Sequence, residues 1–133
     1  MTDRELVELA FTMLERSYVP YSNFPVGATL LCGDGTVFTG CNVENAAYGS
    51  TICAERTALV KAVSEGHRDD LAAIAVVGNS EGPCWPCGAC RQMLYEFNPG
   101  MKVLVARGDH SFETLALSDL LPHGFGPKSL TQV

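Results

Sequence analysis

The chain has 133 residues, of which 47% are apolar and 18% are charged, a composition that fits one ordinary folded domain and excludes a disordered protein. The net charge is −6, and nine basic residues are scattered without a basic stripe, which argues against a nucleic-acid partner and favours a small neutral substrate. No apolar run reaches the roughly 18 residues that cross a bilayer, and the charged N-terminus lacks a secretory hydrophobic region. We therefore expect a cytoplasmic protein without a membrane partner. We also expect a single domain over residues 1–133.

The N-terminal segment predicts a helix followed by a loop. Thr2 and Glu5 have the spacing of a capping box, which opens a helix. Apolar residues then recur at helical spacing and predict its buried stripe: Leu6, Leu9, Ala10, Met13 and Leu14. The two prolines between Ser17 and Pro25 predict an irregular loop.

A hairpin and a second helix are predicted next. Residues 26–31 and 36–40 read as strands around Asp34-Gly35, a dipeptide typical of hairpin turns. A helix is then expected to begin near Ser50 or Thr51 and to run to about Glu65, with Gly66 as its stop.

The second half of the chain predicts alternating strands and helices. Residues 71–77 are continuously apolar, as in a strand buried on both faces. The elements expected after it are a helix from Cys87 or Ala89 to Phe97, a buried strand at 102–106, a weaker strand at 112–117 and a helical turn at 118–122 before an irregular tail. This alternation implies an α/β layered domain with a central sheet.

Three cysteines have the spacing of ligands to one metal ion. Cys87 and Cys90 lie three residues apart at the start of a predicted helix, and Cys53 lies at the start of the preceding one. Helix starts favour thiolates through their unpaired N–H groups and the helix dipole. Three thiol ligands leave one position open, which is typical of catalytic rather than structural zinc.

The cysteines alone leave two other interpretations open. A C-x-x-C pair at a helix start also occurs in redox proteins, and Cys84-Trp85-Pro86-Cys87 is itself such a pair. Alternatively, Cys53, Cys84, Cys87 and Cys90 could enclose a structural zinc ion. A disulfide framework is disfavoured because the chain lacks a signal peptide.

Two residues beside Cys53 favour a catalytic site. Glu55 lies two positions after this cysteine and can reach a water on the metal, although an acidic residue in a first helical turn is also common for its dipole interaction alone. Arg56 lies three positions after Cys53, on the same helical face, and can donate to the thiolates and offset their charge. A glutamate beside three zinc cysteines is a pattern of zinc-dependent nucleobase deaminases.

Four motifs together resemble the small, homotetrameric type of cytidine deaminase, and the resemblance covers nearly the whole chain. Two of them contain the cysteines: C-A-E-R at 53–56 and P-C-G-A-C-R-Q at 86–92. The other two are Y-S-x-F-x-V-G-A at 21–28 and G-x-N-V-E-N-A at 40–46. The resemblance implies a three-layer domain, in which helices flank a central mixed sheet of about five strands, and a homotetramer.

The resemblance also implies roles for substrate-contacting residues. Asn42 and Glu44 would bind the ribose hydroxyls, and Phe24 would stack on the pyrimidine. Ala54 would offer backbone groups to the base, and Phe125 would reach into the pocket of a neighbouring subunit. From the residues alone, a polar loop face for Asn42 and Glu44 and a core aromatic for Phe24 are the more common explanations.

Some residues depart from the family pattern. Cys84 is not expected before Pro86 and is either a free thiol or a site of oxidation. Cys32 and Cys41 are expected to be small core residues. The three histidines, His67, His110 and His123, match no ligand position and are expected at the surface.

The expected reaction is zinc-dependent hydrolysis of cytidine and deoxycytidine to uridine and deoxyuridine with release of ammonia, a step of pyrimidine salvage. Zn²⁺ on Cys53, Cys87 and Cys90 would activate water, and Glu55 would shuttle its proton to N3 and to the leaving amine. The rival hypotheses are a deaminase of another aminopyrimidine nucleoside and a non-catalytic binding module stabilised by zinc.

Overall fold

The computed structural model describes residues 1–131; residues 132 and 133, which complete the predicted 1–133 domain, lie outside the described residues. Short 3₁₀ turns cover Met13–Arg16 and Tyr48–Ser50. The helices and strands, in chain order, are α1 (Asp3–Thr12), β1 (Val26–Cys32), β2 (Val37–Cys41), α2 (Ala54–Ser64), β3 (Leu71–Gly78), α3 (Gly88–Phe97), β4 (Lys102–Ala106), β5 (Phe112–Ala116), α4 (Leu117–Leu120) and α5 (Pro127–Thr131).

Within residues 1–131, five strands form one mixed sheet in the order β2-β1-β3-β4-β5. β3 and β4 are parallel and are joined through α3, whereas the other neighbours are antiparallel. β3 occupies the centre and is almost wholly buried, while the edge strand β5 is only partly buried. The predicted α/β architecture and its central mixed sheet are confirmed.

The sheet separates two apolar cores because alternate residues of each strand point to opposite faces. On one face, Ile74 and Val76 of β3 pack with Leu59 of α2 and Leu94 of α3. On the other face, Ala75 and Val77 pack against α1. The two helices that begin with cysteine fragments therefore lie on the same face of the sheet, and this common layer brings their N-termini together.

Several local predictions agree with the structure. Thr2 and Glu5 form the expected capping box, and the β1–β2 hairpin turns at Gly35, which has a positive φ of 92°. Glycine adopts this left-handed conformation without steric cost. None of the helices found within residues 1–131 combines the length and apolar character that a membrane span requires.

Other predictions need correction at the level of single residues. α2 begins at Ala54 rather than at Ser50 or Thr51, because Ile52 pairs with Val43 in a β-bridge that holds the chain extended up to Cys53. In α1 the buried residues are Leu6, Val7 and Ala10, whereas the predicted Leu9 is only partly buried.

Three further corrections concern the loops and the tail. Cys41 is only partly buried, whereas Cys32 is a core residue as predicted. His67 was expected at the surface, but only 20% of its side chain is exposed, because it contacts Asp70 and the Phe38 ring. The tail is not wholly irregular, since Pro127–Thr131 forms a short helix.

Candidate metal centre

The starts of α2 and α3 bring three cysteines together. Cys53 and Cys87 are the N-cap residues of these helices, and Cys90 lies in the first turn of α3. The Sγ atoms of Cys53 and Cys87 are 3.5 Å apart, and those of Cys87 and Cys90 are 3.3 Å apart. Thiolates about 2.3 Å from a zinc ion lie about 3.8 Å apart at tetrahedral angles, so shifts of a few tenths of an ångström would let all three sulfurs bind one ion. The donor set fits zinc.

Charge around the cluster favours a thiolate at Cys53. The pKa of Cys53 is lowered because Cys90 donates a hydrogen bond to its sulfur and because Arg56 contributes a second one. The same contact with Cys53 raises the pKa of Cys90. Nη2 of Arg56 lies 3.6 Å from Cys53 Sγ and also donates to the Thr51 carbonyl at 3.1 Å. The guanidinium is thus held at the sulfur by the backbone just before α2, where it can offset thiolate charge.

Glu55 lies in the first turn of α2 and is buried, with 3% of its surface exposed. Burial raises the pKa of its carboxyl group above the ordinary value of 4.5, and the charge of the neighbouring Cys53 adds to this effect. A carboxyl group with a raised pKa gains and loses a proton more readily near neutral pH. The geometry therefore places a buried carboxyl group, able to hold a proton, beside the cysteine cluster.

Asn42 and Glu44 both form hydrogen bonds with the segment of residues 21–26. Both hold the loop that contains Phe24. Asn42 donates through Nδ2 to the Phe24 carbonyl and accepts through Oδ1 from the Val26 amide, each at 2.9 Å. These contacts use one of the two N–H donors of Nδ2 and one of the two acceptor positions of Oδ1. One donor and one acceptor position remain for a ligand.

The Glu44 carboxylate accepts from the backbone N–H groups of Tyr21 and Ser22 at 3.0 and 3.1 Å. It also accepts from the Ser22 hydroxyl, and this side-chain hydrogen bond is the main reason why the pKa of Glu44 is lowered. Glu44 therefore stays ionised at neutral pH. Together with Tyr48 and Thr51, these residues line a cavity of about 330 Å³.

Phe24 lies at the C-terminal end of the central strand. Its ring and the Cys84 side chain both crowd Gly78, the last residue of β3, where an added Cβ would lie 3.0 Å from each of them. The ring is 38% exposed, so it is neither a core aromatic nor a free surface group. Burial raises the pKa of the Cys84 thiol to about 11, which makes it a neutral packing residue.

Cys84 does not join the metal cluster. Among residues 1–131, the group around Cys53 whose ligand atoms all lie within 4.8 Å of one another comprises Cys53, Cys87 and Cys90. All six cysteines, each within the described residues, are free thiols. The geometry therefore contradicts an enclosed zinc site with four cysteines and leaves one coordination position open.

Ala54 begins α2 and is completely buried. Its carbonyl group faces Gly40 of β2, where an added Cβ would lie 2.2 Å from the Ala54 oxygen. Its N–H group is one of the first-turn groups that have no acceptor within the helix. Gly40 thus lets α2 lie directly on the sheet.

Phe125 lies near the end of α3, and 56% of its surface is exposed. Gln92 donates to the Phe125 carbonyl at 2.8 Å, and Gly124 lies against the Tyr95 ring so closely that a Cβ would collide with it. The backbone of this tail segment is therefore fixed to α3, while more than half of the Phe125 surface is exposed.

Three residues that support the site were given no role from the sequence. Gly40 allows close packing of α2, Ser22 orients Glu44, and Arg91 donates to the Pro86 carbonyl at 2.8 Å and to the Leu120 carbonyl at 2.9 Å. All three lie inside the four family motifs, and this position is the only sign of their importance that the sequence offers. Their contacts join segments far apart in the chain, so local spacing could not have revealed them.

A comparison with known families agrees with this geometry. Residues 1–106 match the family model described as "Cytidine and deoxycytidylate deaminase zinc-binding region". The match includes all three cysteines, Glu55 and the Asn42–Glu44 segment, and it ends before Phe125.

Individual relatives are similar over most of the chain. A cytidine deaminase of Sporosarcina psychrophila is 52% identical over 118 residues, 88% of this chain and 86% of that protein. One of Halalkalibacterium halodurans is 50% identical over 125 residues, covering 92% and 94% of the two chains. The crystal structure of cytidine deaminase from Burkholderia pseudomallei superposes with a TM-score of 0.90 at 50% identity, covering 94% of this chain and 100% of that one.

Proposed function

Because this chain belongs to the cytidine and deoxycytidylate deaminase family, we propose that it hydrolyses cytidine and deoxycytidine to uridine and deoxyuridine and releases ammonia. The observation that carries this proposal is the convergence of Cys53, Cys87 and Cys90 beside the buried Glu55. The domain that performs this reaction spans residues 1–133. Its substrate is a free nucleoside, and its role is pyrimidine salvage.

The three cysteines would hold Zn²⁺, which when bound would supply an acidified water as the nucleophile. The Glu55 carboxylate would take up a proton from the attacking water and deliver it to N3 of the pyrimidine, which would make C4 electrophilic. After attack at C4, the same carboxyl group would take the proton of the new C4 hydroxyl and pass it to the departing amine. The C–N bond breaks, the C4 carbonyl forms, and water and cytidine yield uridine and ammonia. Burial of Glu55 supports this role, because it raises the pKa of the carboxyl group towards the working pH.

Arg56 sustains the reaction from outside the substrate cavity. Three thiolates give a zinc centre a net negative charge, which makes its water less acidic than neutral ligands would. The guanidinium on Cys53 Sγ withdraws part of this charge. Its Nε is buried and has no hydrogen-bond partner among residues 1–131, whereas its Nη2 donates to the Thr51 carbonyl and to Cys53 Sγ, so the hydrogen bonds of the group direct its charge towards the sulfur.

The substrate lies between the cysteine cluster and the loop that carries Phe24. Phe24 stacks on the base, the Ala54 backbone contacts its polar edge, and Asn42 and Glu44 bind the ribose hydroxyls. The support for sugar binding is the unused hydrogen-bonding capacity of the two side chains after they have fastened the loop. A free base would forgo these contacts.

The active unit is a homotetramer in which Phe125 completes the pocket of a neighbouring subunit. The exposure of the Phe125 ring on a fixed backbone supports this assembly. A second support is an apolar groove of about 410 Å³ beside α2, which would be costly to leave in water. Its apolar lining residues are Val43, Ile52, Val60 and Met93.

The protein acts in the cytoplasm. The support is the proposed zinc site, because Cys53, Cys87 and Cys90 can bind the ion only as reduced thiolates, which a reducing compartment maintains.

Ammonia release from a panel of cytidine, deoxycytidine, free cytosine and other aminopyrimidine nucleosides tests the proposal. Turnover of cytidine and deoxycytidine by protein with one zinc ion per chain supports it. Turnover confined to another aminopyrimidine compound would assign the protein to a different substrate. A zinc-loaded protein with no deaminase activity would instead support a binding module.

A further inference from the structure

A second group of metal-binding side chains lies at the opposite end of the sheet from the cysteine cluster. Cys32 ends β1, and His67 and Asp70 lie in the connection between α2 and β3. Their ligand atoms all lie within 4.8 Å of one another. Cys32 pairs with Leu71 at the start of β3, whereas Phe24 and Cys84 lie at its end, so the two groups are separated by about 20 Å of strand. The second group takes no part in the deaminase site.

The spacing of these side chains suits direct coordination. Nδ1 of His67 lies 3.0 Å from Oδ2 of Asp70. A nitrogen and an oxygen ligand at about 2.0–2.2 Å from a tetrahedral ion lie about 3.4 Å apart, so a small separation of the two groups admits an ion between them. The Cys32 sulfur would be the third ligand of this ion.

A fourth residue, Asp34, lies near the ring nitrogen of His67 that does not face Asp70. Nε2 of His67 faces Oδ2 of Asp34 at 3.9 Å. When a histidine binds a metal through one ring nitrogen, the other nitrogen usually donates to a carboxylate, which fixes the tautomer and the ring orientation. Asp34 lies just beyond hydrogen-bond distance of Nε2, so a small movement of its side chain would give His67 this outer partner.

The backbone holds the three ligands before any ion binds. Gly66 ends α2 with a φ of 94°, and the His67 amide donates back to the Ala62 carbonyl at 2.9 Å, as in a Schellman cap. The Asp70 carbonyl accepts from the Gly33 amide at 2.7 Å. Ligands on such a fixed frame lose little conformational entropy when they bind.

The local charge also favours a cation. Cys32 is 2% exposed, and two carboxylates lie at the ring nitrogens of His67, Asp70 at 3.0 Å and Asp34 at 3.9 Å. The thiol and two carboxylates thus face one histidine. A divalent cation that displaces the thiol proton would neutralise this acidic cluster.

We infer that Cys32, His67 and Asp70 form a second cation site, selective for zinc-like divalent ions and separate from the catalytic zinc. One thiolate, one imidazole and one carboxylate are ligands for Zn²⁺ or Co²⁺ rather than for Mg²⁺ or Ca²⁺, which prefer oxygen-only sites. A bound ion would tie the β1–β2 turn to the loop after α2.

Titration of the zinc-loaded protein with Co²⁺ tests this site, because a thiolate–cobalt charge-transfer band reports a sulfur ligand. The parent protein should bind one further equivalent and develop this band, and Mg²⁺ should not compete. Cys32→Ala and His67→Gln should each abolish the band while leaving cytidine turnover unchanged. Asp34→Asn should weaken Co²⁺ binding about 10–100-fold, as expected for loss of an outer-shell carboxylate.

Matched controls are Cys41→Ala, which removes a partly buried thiol of the neighbouring strand, and His110→Gln, which removes a histidine on α1's side of the sheet. Both should retain the band. If Cys32→Ala does not fold, His67→Gln decides alone. Absence of the band in the parent protein, or its retention in either ligand variant, would overturn the inference.

Discussion

The carbonyl oxygen of Ala54 lies where the side chain of residue 40 would begin if that residue were not glycine. An ideal Cβ on Gly40 would be 2.2 Å from this oxygen and 2.7 Å from the Ala58 nitrogen. The distance between α2 and β2 therefore depends on Gly40, and with it the positions of Cys53 and Glu55 at the start of the helix.

Gly40→Ala should displace the start of α2. We expect the free energy of unfolding to fall by about 1–3 kcal/mol, the usual cost of overpacking, and both zinc content and cytidine turnover to fall with it. Urea denaturation and metal analysis on the same sample measure these effects. The control is Gly49→Ala, since an added Cβ there meets nothing within 4 Å and should change stability by less than about 0.5 kcal/mol. Equal behaviour of the two variants would contradict the packing argument.

Asn42→Ala should raise KM for nucleosides more than it lowers kcat. The variant leaves the Phe24 carbonyl and the Val26 amide without their partner, at a cost of about 1–3 kcal/mol for the unsatisfied groups. It would also remove the proposed ribose contact. We expect an increase in KM of about tenfold or more, since about 1.4 kcal/mol corresponds to a factor of ten.

Asn45→Ala is the matched control, because Asn45 is exposed and bonds only to the nearby Ala47 amide in the described structure. Glu44→Gln should resemble Asn42→Ala, since it weakens the contacts with Ser22. Activity on free cytosine should be low in the parent and insensitive to these changes. Equal activity of the parent on cytosine and cytidine would remove the assignment of ribose recognition.

Zinc content should distinguish Cys84 from the three ligands. Cys53→Ala, Cys87→Ala and Cys90→Ala should each lose the catalytic zinc, because each removes one of the three converging sulfurs. Cys84→Ala should keep it and lose only packing against Gly78. Atomic absorption on proteins purified in parallel measures the difference. Loss of zinc from Cys84→Ala would indicate a structural site and undermine the catalytic proposal.

The sequence was most informative where chemistry depends on short spacing. The capping box at Thr2, the hairpin turn at Gly35 and the cysteines of α3 are local patterns, and the structure agrees with each of them. The predicted start of α2 was wrong because the bridge between Val43 and Ile52 extends the chain up to Cys53, and a bridge of this kind is invisible to local periodicity.

Tertiary contacts explain the other differences. His67 carries no local sign of burial, yet the end of α2 brings it against Asp70 and Phe38. In the same way, nothing near Asn42 in the sequence indicates that its amide holds the backbone of Phe24 eighteen residues away. Such contacts depend on how distant segments pack, which a single sequence does not specify.

Phe125→Ala should reduce nucleoside affinity or turnover without changing zinc content, because the ring would serve a neighbouring subunit. Leu130→Ala removes another exposed apolar side chain of the tail and should have little effect. Hybrid tetramers of Phe125→Ala and Glu55→Gln subunits should recover part of the activity that neither variant has alone, since an intact tail can complete a neighbour's intact centre. A fully active monomer in sedimentation would contradict this proposal.

The most direct test of the central claim, that Glu55 moves the protons of a deamination at the three-cysteine zinc site, is the rate of ammonia release from cytidine by Glu55→Gln. Zinc is measured in the same sample. Because glutamine has the same shape but cannot carry a proton, we expect zinc content and fold to be kept and turnover to fall by at least about 10²–10⁴-fold. Glu65→Gln, at the exposed end of α2, should keep full activity. Near-normal turnover by a zinc-loaded Glu55→Gln protein would contradict the account.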